Sequence, residues 1–576
     1  MAIFVDANAL GPVQDGGTWN TAYTTLQAAL ATGTSGDIWI ADGTYKPGSN
    51  RTDAFELQYG WKLTGGFRGY VAGNGSNQTS DERDIAVYPT ILSGDIGTVG
   101  NSADNSYHVL TTASNASDSQ AGRLDGLTIT GGNANGTGTD GYGGALYSAA
   151  LPYTFDCTFT GNNAVLGGAV YNYEVHSTVW NINVTRTTFS NNTATAGGAI
   201  WSYDTDTAFS YCTFSNNTAT AGAGGAIYQQ VMSIVLAENS LFFGNSASTA
   251  GGAIYSNGSI VEANNTSFQG NSCGTSGGAI CHTGSFLGYP AKMLSSSFVG
   301  NTSGGSGSAL TVSSGTGAQV INCTFTANNG AGANGGAIYA LNNNAITVEN
   351  SILWHDVGGE ISLASGSTAS VNYSDVEGGY SGTNNVNADP LFVEAPELTS
   401  TFKHYGNLEL RLGSPVVDQG NNAYIASGTS QHNVGITSDI VGQTFNGTRI
   451  FTQGSSSGTV DMGAYEQLIN NRVGTATSWS AAATWDLPNP LYGQPGQPAT
   501  RIPNQYDVVQ IGTGATVQVG SGAFNVGQLN SASGLQNPLW RNAQDVRGHA
   551  HYGRPWHRER RLAGYSAVHH ENQLQH

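Results

Sequence analysis

The sequence predicts an all-β protein, a right-handed parallel β-helix with coils of about 27 residues and a short N-terminal capping helix. Three observations predict it. First, 81 of 576 residues are Gly and only 10% are charged, while 10% aromatic content supports a packed interior. Second, a Gly-Gly-Ala-aliphatic-aromatic phrase recurs at Gly143–Tyr147, Gly167–Tyr171, Gly197–Trp201, Gly224–Tyr228, Gly251–Tyr255, Gly277–Cys281, a degenerate Gly307–Thr311, and Gly335–Tyr339. Third, Phe-x-x-Asn falls between these phrases, at Phe159/Asn162, Phe189/Asn192, Phe214/Asn217, Phe242/Asn245, Phe268/Asn271, Phe298/Asn301 and Phe325/Asn328. Two motifs with one period, separated by short β-type runs and Gly/Asn turns, fit one coil of a parallel β-helix. Equivalent positions of successive coils then stack roughly 4.8 Å apart, so every repeat position becomes a ladder.

Taken in order, residues 1–35 form an N-terminal cap: Ile3–Asp6 reads as a strand, and Thr25 caps a helix over Leu26–Ala31 that stops at Gly33. Such a cap covers strand edges that an open solenoid end exposes. Residues 36–395 form the β-helix, with Asp37–Tyr45, Leu57–Gly66, Thr90–Asp95 and Leu124–Gly131 as early, irregular coils. The Phe ladder fills the core and the Asn ladder bonds from turn to turn. Cys157, Cys212 and Cys323 stand two residues before the motif Phe, where other coils have Thr187, Ser240, Thr266 and Ser296. They read as small inward residues, with Cys157 and Cys212 two rungs apart and beyond disulfide reach. Asp156 lies one rung from Arg186, a surface ion pair worth little.

Residues 396–469 read as a closing β segment. Residues 470–535, with alternating Asp507–Ile511 and Ala515–Val519, read as the start of a second β-solenoid-like module. Residues 536–576 form an aberrant basic tail, rich in Arg and His without strand alternation, and are expected to be poorly ordered.

The net charge is −19, and six Arg fall in the tail, so the body before it is more acidic still and repels phosphate backbones. Nucleic-acid binding is not expected. No apolar stretch approaches the roughly 20 residues of a transmembrane segment. Met1 runs straight into Ile3-Phe4-Val5, so no signal peptide is read in this chain.

The Ile-Leu-Ser-Gly-Asp phrase at Ile91–Asp95 and the coils resemble the pectate-lyase-like right-handed β-helix proteins of bacterial surfaces. The paired Gly-Gly-Ala and Phe-x-x-Asn repeats resemble those of chlamydial polymorphic outer membrane proteins. Asn387–Val393, Ser414–Asn421 and Val460–Glu466 resemble the closing segment of the secreted choice-of-anchor Q proteins. The resemblance implies a secreted or cell-surface bacterial protein acting as an adhesive or glycan-binding scaffold, without a cofactor and monomeric. Its partners would be a polysaccharide or a host or cell-surface glycan or receptor.

A polysaccharide-active enzyme is the alternative, and a structural spacer rod the second alternative. A lyase needs a Lys or Arg base beside its groove, and between residues 124 and 402 only Arg186 and Lys292 qualify, about four coils apart. A glycoside hydrolase needs two carboxyl groups, roughly 5–5.5 Å apart for retention or 6.5–9.5 Å for inversion. Counted from the Gly-Gly-Ala anchor, Glu174 and Asp204 hold the same offset in adjacent coils, as do His176 and Asp206, and Tyr173 and Tyr203. Glu174, Asp204 and Asp206 are therefore the catalytic candidates if the chain is an enzyme. Tyr171, Tyr173, Trp201, Tyr203 and His176 are the substrate-binding candidates, the aromatic rings forming a platform for sugars. The opposing reading places these residues in an exposed, solvated turn with the rings stacked on one another. No metal site is read; Ca²⁺ is left open, but no motif indicates it. Asp356, Glu360, Asp375 and Glu377 match no EF-hand spacing and are expected to form an exposed acidic turn.

Overall fold

The coil that starts at Gly224 shows how each repeat is built. After the glycine pair the chain lays down Ile227–Gln230 in a front wall and Ile234–Glu238 in a side wall. Leu241–Phe243 follows in a back wall, then Ser246–Ala247 in a narrow strip before the next pair at Gly251. The computed structural model describes residues 2–425 apart from 34–35, 59, 71–81, 113–121, 150, 176–181, 232, 285–287, 314, 316, 333, 399–402 and 412. It further describes 440, 459–465, 469–472, 485–486, 508–511 and 528–531. The expected basic tail, most of the second module and His176 lie outside the described residues.

Front and side walls make one 23-stranded sheet, the back wall has 12 strands and the strip 8. The pairing is parallel and in register with the motif: Ile227 opposes Ile254, Val235 opposes Val261, Phe242 opposes Phe268 and Ala247 opposes Cys273. Each glycine of the pair has its own cause. Gly224 has φ +68°, which only a residue without Cβ adopts at low cost, and a Cβ on Gly225 would stand 2.0 Å from the Gly252 carbonyl oxygen. At the corner between side and back walls the chain again turns left-handed, at Asn239, Asn265, Asn322 and Asn350, a conformation that Asn tolerates better than most residues.

The two sequence ladders form the interior. Phe159, Phe189, Phe214, Phe242, Phe268, Phe298 and Phe325 are buried and stack face to face, with ring centroids from 4.4 to 4.9 Å apart. Beside them each Asn side chain bridges three coils. Asn245 Nδ2 donates to Asn271 Oδ1 at 2.9 Å and to the Phe214 carbonyl at 2.9 Å, and its Oδ1 accepts from Asn217 N and Nδ2 at 3.0 and 2.9 Å. The same pattern runs from Asn162 to Asn328, satisfying backbone groups that burial would otherwise leave unpaired.

Cys157, Cys212 and Cys323 occupy a third ladder, of hydroxyls. Cys212 N donates to Ser240 Oγ at 3.1 Å, Thr266 N to Ser296 Oγ at 3.1 Å and Cys323 N to Ser351 Oγ at 3.1 Å. All five cysteines are buried and free, and burial pushes the thiols of Cys157, Cys212, Cys281 and Cys323 up to about 12, which makes them inert. Arg186 reaches Asp156 through both Nε and Nη2 at 2.7 Å, as the register predicts.

At the N-terminal end Thr25 accepts from Ala28 N, and the helix Leu26–Leu30 buries Leu26 and Ala29 against Val5, Ile38 and Phe55. The early coils pair within the same walls, Ile3–Val5 with Asp37–Ala41 and Thr90–Ser93 with Leu127–Thr130. At the other end the walls stop at Asp375–Val376. The chain then forms antiparallel hairpins, Phe392–Glu394 with Asn407–Leu410 and Glu397–Leu398 with Lys403–His404. They fold back along the outside of the back wall. Phe392, Leu408, Leu410, Val416, Val417 and Met462 cover Val299, Ile352 and Trp354, outward positions that are Thr or Ser in the strands Thr188–Ser190 and Thr213–Ser215. Gly463 N donates to Asn350 O at 2.7 Å and Ala464 N to Thr324 Oγ1 at 3.0 Å, fixing the segment to the rod.

Candidate functional site

The aromatic residue of each Gly-Gly-Ala phrase falls on the outward side of the front wall, because its aliphatic neighbour points to the core. Parallel register therefore lines up Tyr147, Tyr171, Trp201, Tyr228 and Tyr255 in one row. The rings stack on one another, Tyr171 on Trp201 at 4.7 Å and Trp201 on Tyr228 at 5.9 Å, and Tyr255 follows Tyr228 at 5.0 Å with its plane tilted by 33°. Tyr142 adds a further ring at 4.6 Å from Tyr171. Two residues along each strand lies a second row, Tyr173, Tyr203, Gln230, Asn257 and Thr283.

The rings are thus aligned in register but stacked on one another, as the opposing reading has it. Mutual stacking occupies the faces within the row, so it offers ring edges and phenol groups. Tyr171 is half-buried and Trp201 buried, whereas Tyr203 is 37% exposed, alongside Trp201 at 6.0 Å and 2°. Burial pushes the Tyr171 phenol up to about 12, with Tyr142, Tyr173 and Tyr203 adding to the shift. Burial likewise raises Tyr147, Tyr228 and Tyr255, so these phenols remain hydrogen-bond donors at any physiological pH. The second row contributes amide and hydroxyl groups; Thr283 Oγ1 donates to Asn257 Oδ1 at 3.1 Å.

The register around the carboxylate candidates is as expected. Tyr173 opposes Tyr203 and Val175 opposes Thr205, which puts Glu174 and Asp204 at equivalent places in adjacent coils. The Glu174 side chain lies outside the described residues. Asp204 sits at the corner where the long strand Ile200–Ser210 passes from front to side wall, with φ +57° and its N–H donating to Val231 O at 3.1 Å. Asp206 is past that corner and opposes Ile234 in the side wall. The corner therefore assigns Asp204 and Asp206 to different parts of the coil. Both are half-buried rather than fully solvated.

Neither basic candidate serves the front wall. Arg186 is engaged by Asp156, and Lys292 opposes Glu262 in the side wall, both buried.

The acidic turn departs from expectation. Asp356, Glu360 and Asp375 are buried, because Asp356 continues the Asn ladder: its Oδ1 accepts from Asn328 N at 2.7 Å and Nδ2 at 2.8 Å. The signal was present in the sequence, since Leu353 and Asp356 keep the Phe-x-x-Asn spacing and Leu353 opposes Phe325. Among the described residues no group of three or more His, Cys, Asp or Glu converges as a metal site, and no helix is long and apolar enough to cross a membrane.

Four stretches, residues 186–203, 211–230, 239–257 and 265–283, match the profile of the Chlamydia polymorphic membrane protein repeat. They span the coils that contribute Trp201, Tyr203, Tyr228 and Tyr255. Among solved structures, the crystal structure of pectate lyase Pel9A aligns at 13% identity with a TM-score of 0.37, over 81% of this chain and 96% of that chain. No curated protein matches the chain. The chain is a parallel β-helix whose coils are similar to polymorphic membrane protein repeats.

Proposed function

We propose that this β-helix, with its polymorphic membrane protein-like repeats, is a bacterial cell-surface scaffold whose front wall binds an extended glycan without cleaving it. The observation that carries the reading is the pair of parallel rows, ring edges and phenols in one, phenol, amide and hydroxyl groups in the other, repeated rung after rung. A polysaccharide presents the matching alternation of apolar C–H and hydroxyl groups, also in repeat. Such a site gains its affinity by summing many modest contacts along a rigid rod rather than by a deep cavity. The sequence match to membrane-protein repeats supports display at the surface, and the acidic body disfavours nucleic acid.

A hydrolase reading remains attached to one observation, the equivalent register of Glu174 and Asp204. Against it stands the corner that separates Asp204 from Asp206. Tyr203→Ala and Tyr171→Ala separate the two readings from Asp204→Asn. In a glycan array, the tyrosine variants lose tenfold or more in apparent affinity while Asp204→Asn binds as the parent does. Release of new reducing ends by the parent, abolished in Asp204→Asn, would replace the scaffold reading with the enzymatic one.

A further inference from the structure

The Asn ladder ends in a carboxylate, and that ending has chemistry the other rungs lack. Every rung before it closes with an amide, which donates to one coil and accepts from the next. Asp356 accepts both Asn328 bonds through Oδ1, but without an amide it has no permanent donor for the coil beyond. There it meets Glu360, whose Oε1 accepts from Asp356 N at 3.3 Å, which brings the two buried carboxyl groups together. Their remaining oxygens, Asp356 Oδ2 and Glu360 Oε2, are buried. Two adjacent carboxylates cannot both be charged there at tolerable cost, since burial and mutual repulsion act in the same direction.

The surroundings do not relieve the charge. Glu377 acts on both members and raises them further, and on the next strand Asp375, with Asp389 beside it, is also acidic. His355 is the basic group nearby in sequence; its exposed ring lies 3.7 Å from Glu377, and its backbone N–H donates to the same carboxylate at 2.7 Å. Glu360 leads directly into Ile361–Leu363, the last front-wall strand, which pairs with Ile338–Ala340.

We propose that Asp356 and Glu360 share a proton that closes the last coil of the β-helix, making that coil a pH-sensitive latch that loosens as the medium turns alkaline. The shared proton does what the missing ladder amide would do: it supplies one donor between two acceptors. Its loss places a second negative charge in a buried site, and the coil opens to hydrate it. Burial holds both groups above the usual carboxylate range in the closed coil. The closed form is therefore fully favoured below the unfolded values near 4, and the advantage is lost as pH rises through the values of the closed coil.

Hydrogen exchange of the full chain, corrected for intrinsic rates at each pH, reads the latch directly. Between pH 5.5 and 8.5 the opening constant for the amides of Asn328 and Ile361–Leu363 rises, by up to tenfold per pH unit for one proton. Amides of the central coils, Asn217 to Asn271, show no such trend. In Glu360→Gln a permanent amide replaces the shared proton, and above pH 7, where Asp375 has already titrated, the change falls within twofold. Asp356→Asn completes the ladder with its own residue type and gives the same flat profile above pH 7, should Glu360→Gln not fold. Flat protection in the parent overturns the proposal, as does an undiminished slope in the folded variants.

Discussion

Replacing Asn245 by Ala removes four hydrogen bonds from the middle of the rod: two donated by Nδ2, to Phe214 O and Asn271 Oδ1, and two accepted by Oδ1, from Asn217 N and Nδ2. The losses are unequal. Asn217 Nδ2 retains the Phe189 carbonyl and Asn271 Oδ1 retains Asn245 N. The Asn217 N–H loses its partner in a dry interior, whereas the Phe214 carbonyl keeps its place in the backbone ladder with Leu241–Phe243. One stranded donor gives a cost of about 1–3 kcal/mol. Because each coil contacts only its neighbours, the damage is concentrated in the coils on either side. Urea unfolding of the full chain followed by far-UV circular dichroism measures the cost, and hydrogen exchange across residues 211–257 locates it. Ser215→Ala, on the half-exposed outer side of the back-wall strand one coil before, serves as control and stays within about 0.5 kcal/mol. If Asn245→Ala is no more harmful than that control, the ladder is not what joins the coils.

Phe242, buried between Phe214 at 4.6 Å and Phe268 at 4.9 Å, leaves a cavity on truncation. Phe242→Ala is expected to cost about 3–5 kcal/mol in the same urea assay. His282 is buried in the interior beside Ser256, and burial lowers it to about 4 from the ordinary 6.5. Its folded-state value lies below the unfolded one, so the stability it contributes is present above pH 6.5 and lost as pH falls toward 4. The loss amounts to roughly 3 kcal/mol. The raised Asp375, held at about 7 chiefly by burial, acts in the opposite sense, its contribution declining as pH rises from about 4 to 7. The His282 effect is therefore read as the difference between parent and His282→Val. Val312 occupies the equivalent place one coil on, so the variant fits, and its stability falls less steeply in acid.

The fold was legible because a solenoid writes its structure locally. Gly224-Gly225 marks a turn, Phe242 a core position and Asn245 a bond to the next coil, each visible in one repeat and confirmed by recurrence. The hydroxyl ladder was legible for the same reason, from Cys212 standing where Ser240 and Thr266 stand. The return of the closing segment was not, because its partners are distant in sequence and its strands antiparallel; the trace it left was the shift of back-wall positions to Val299, Ile352 and Trp354. At the candidate site, register placed Tyr171 against Trp201 and Tyr173 against Tyr203 correctly. What register could not supply was ring orientation, and the left-handed turn at Asp204 that parts it from Asp206. Asp356 was misplaced on the surface because its charge outweighed its spacing from Leu353.

The most direct test of the account is a glycan array of the intact chain read in parallel with product analysis of every polysaccharide that binds. The account predicts binding without new reducing ends or unsaturated products, weakened at least tenfold by Tyr203→Ala and unaffected by Asp204→Asn. Product formation that disappears in Asp204→Asn, or binding indifferent to Tyr203, would contradict it.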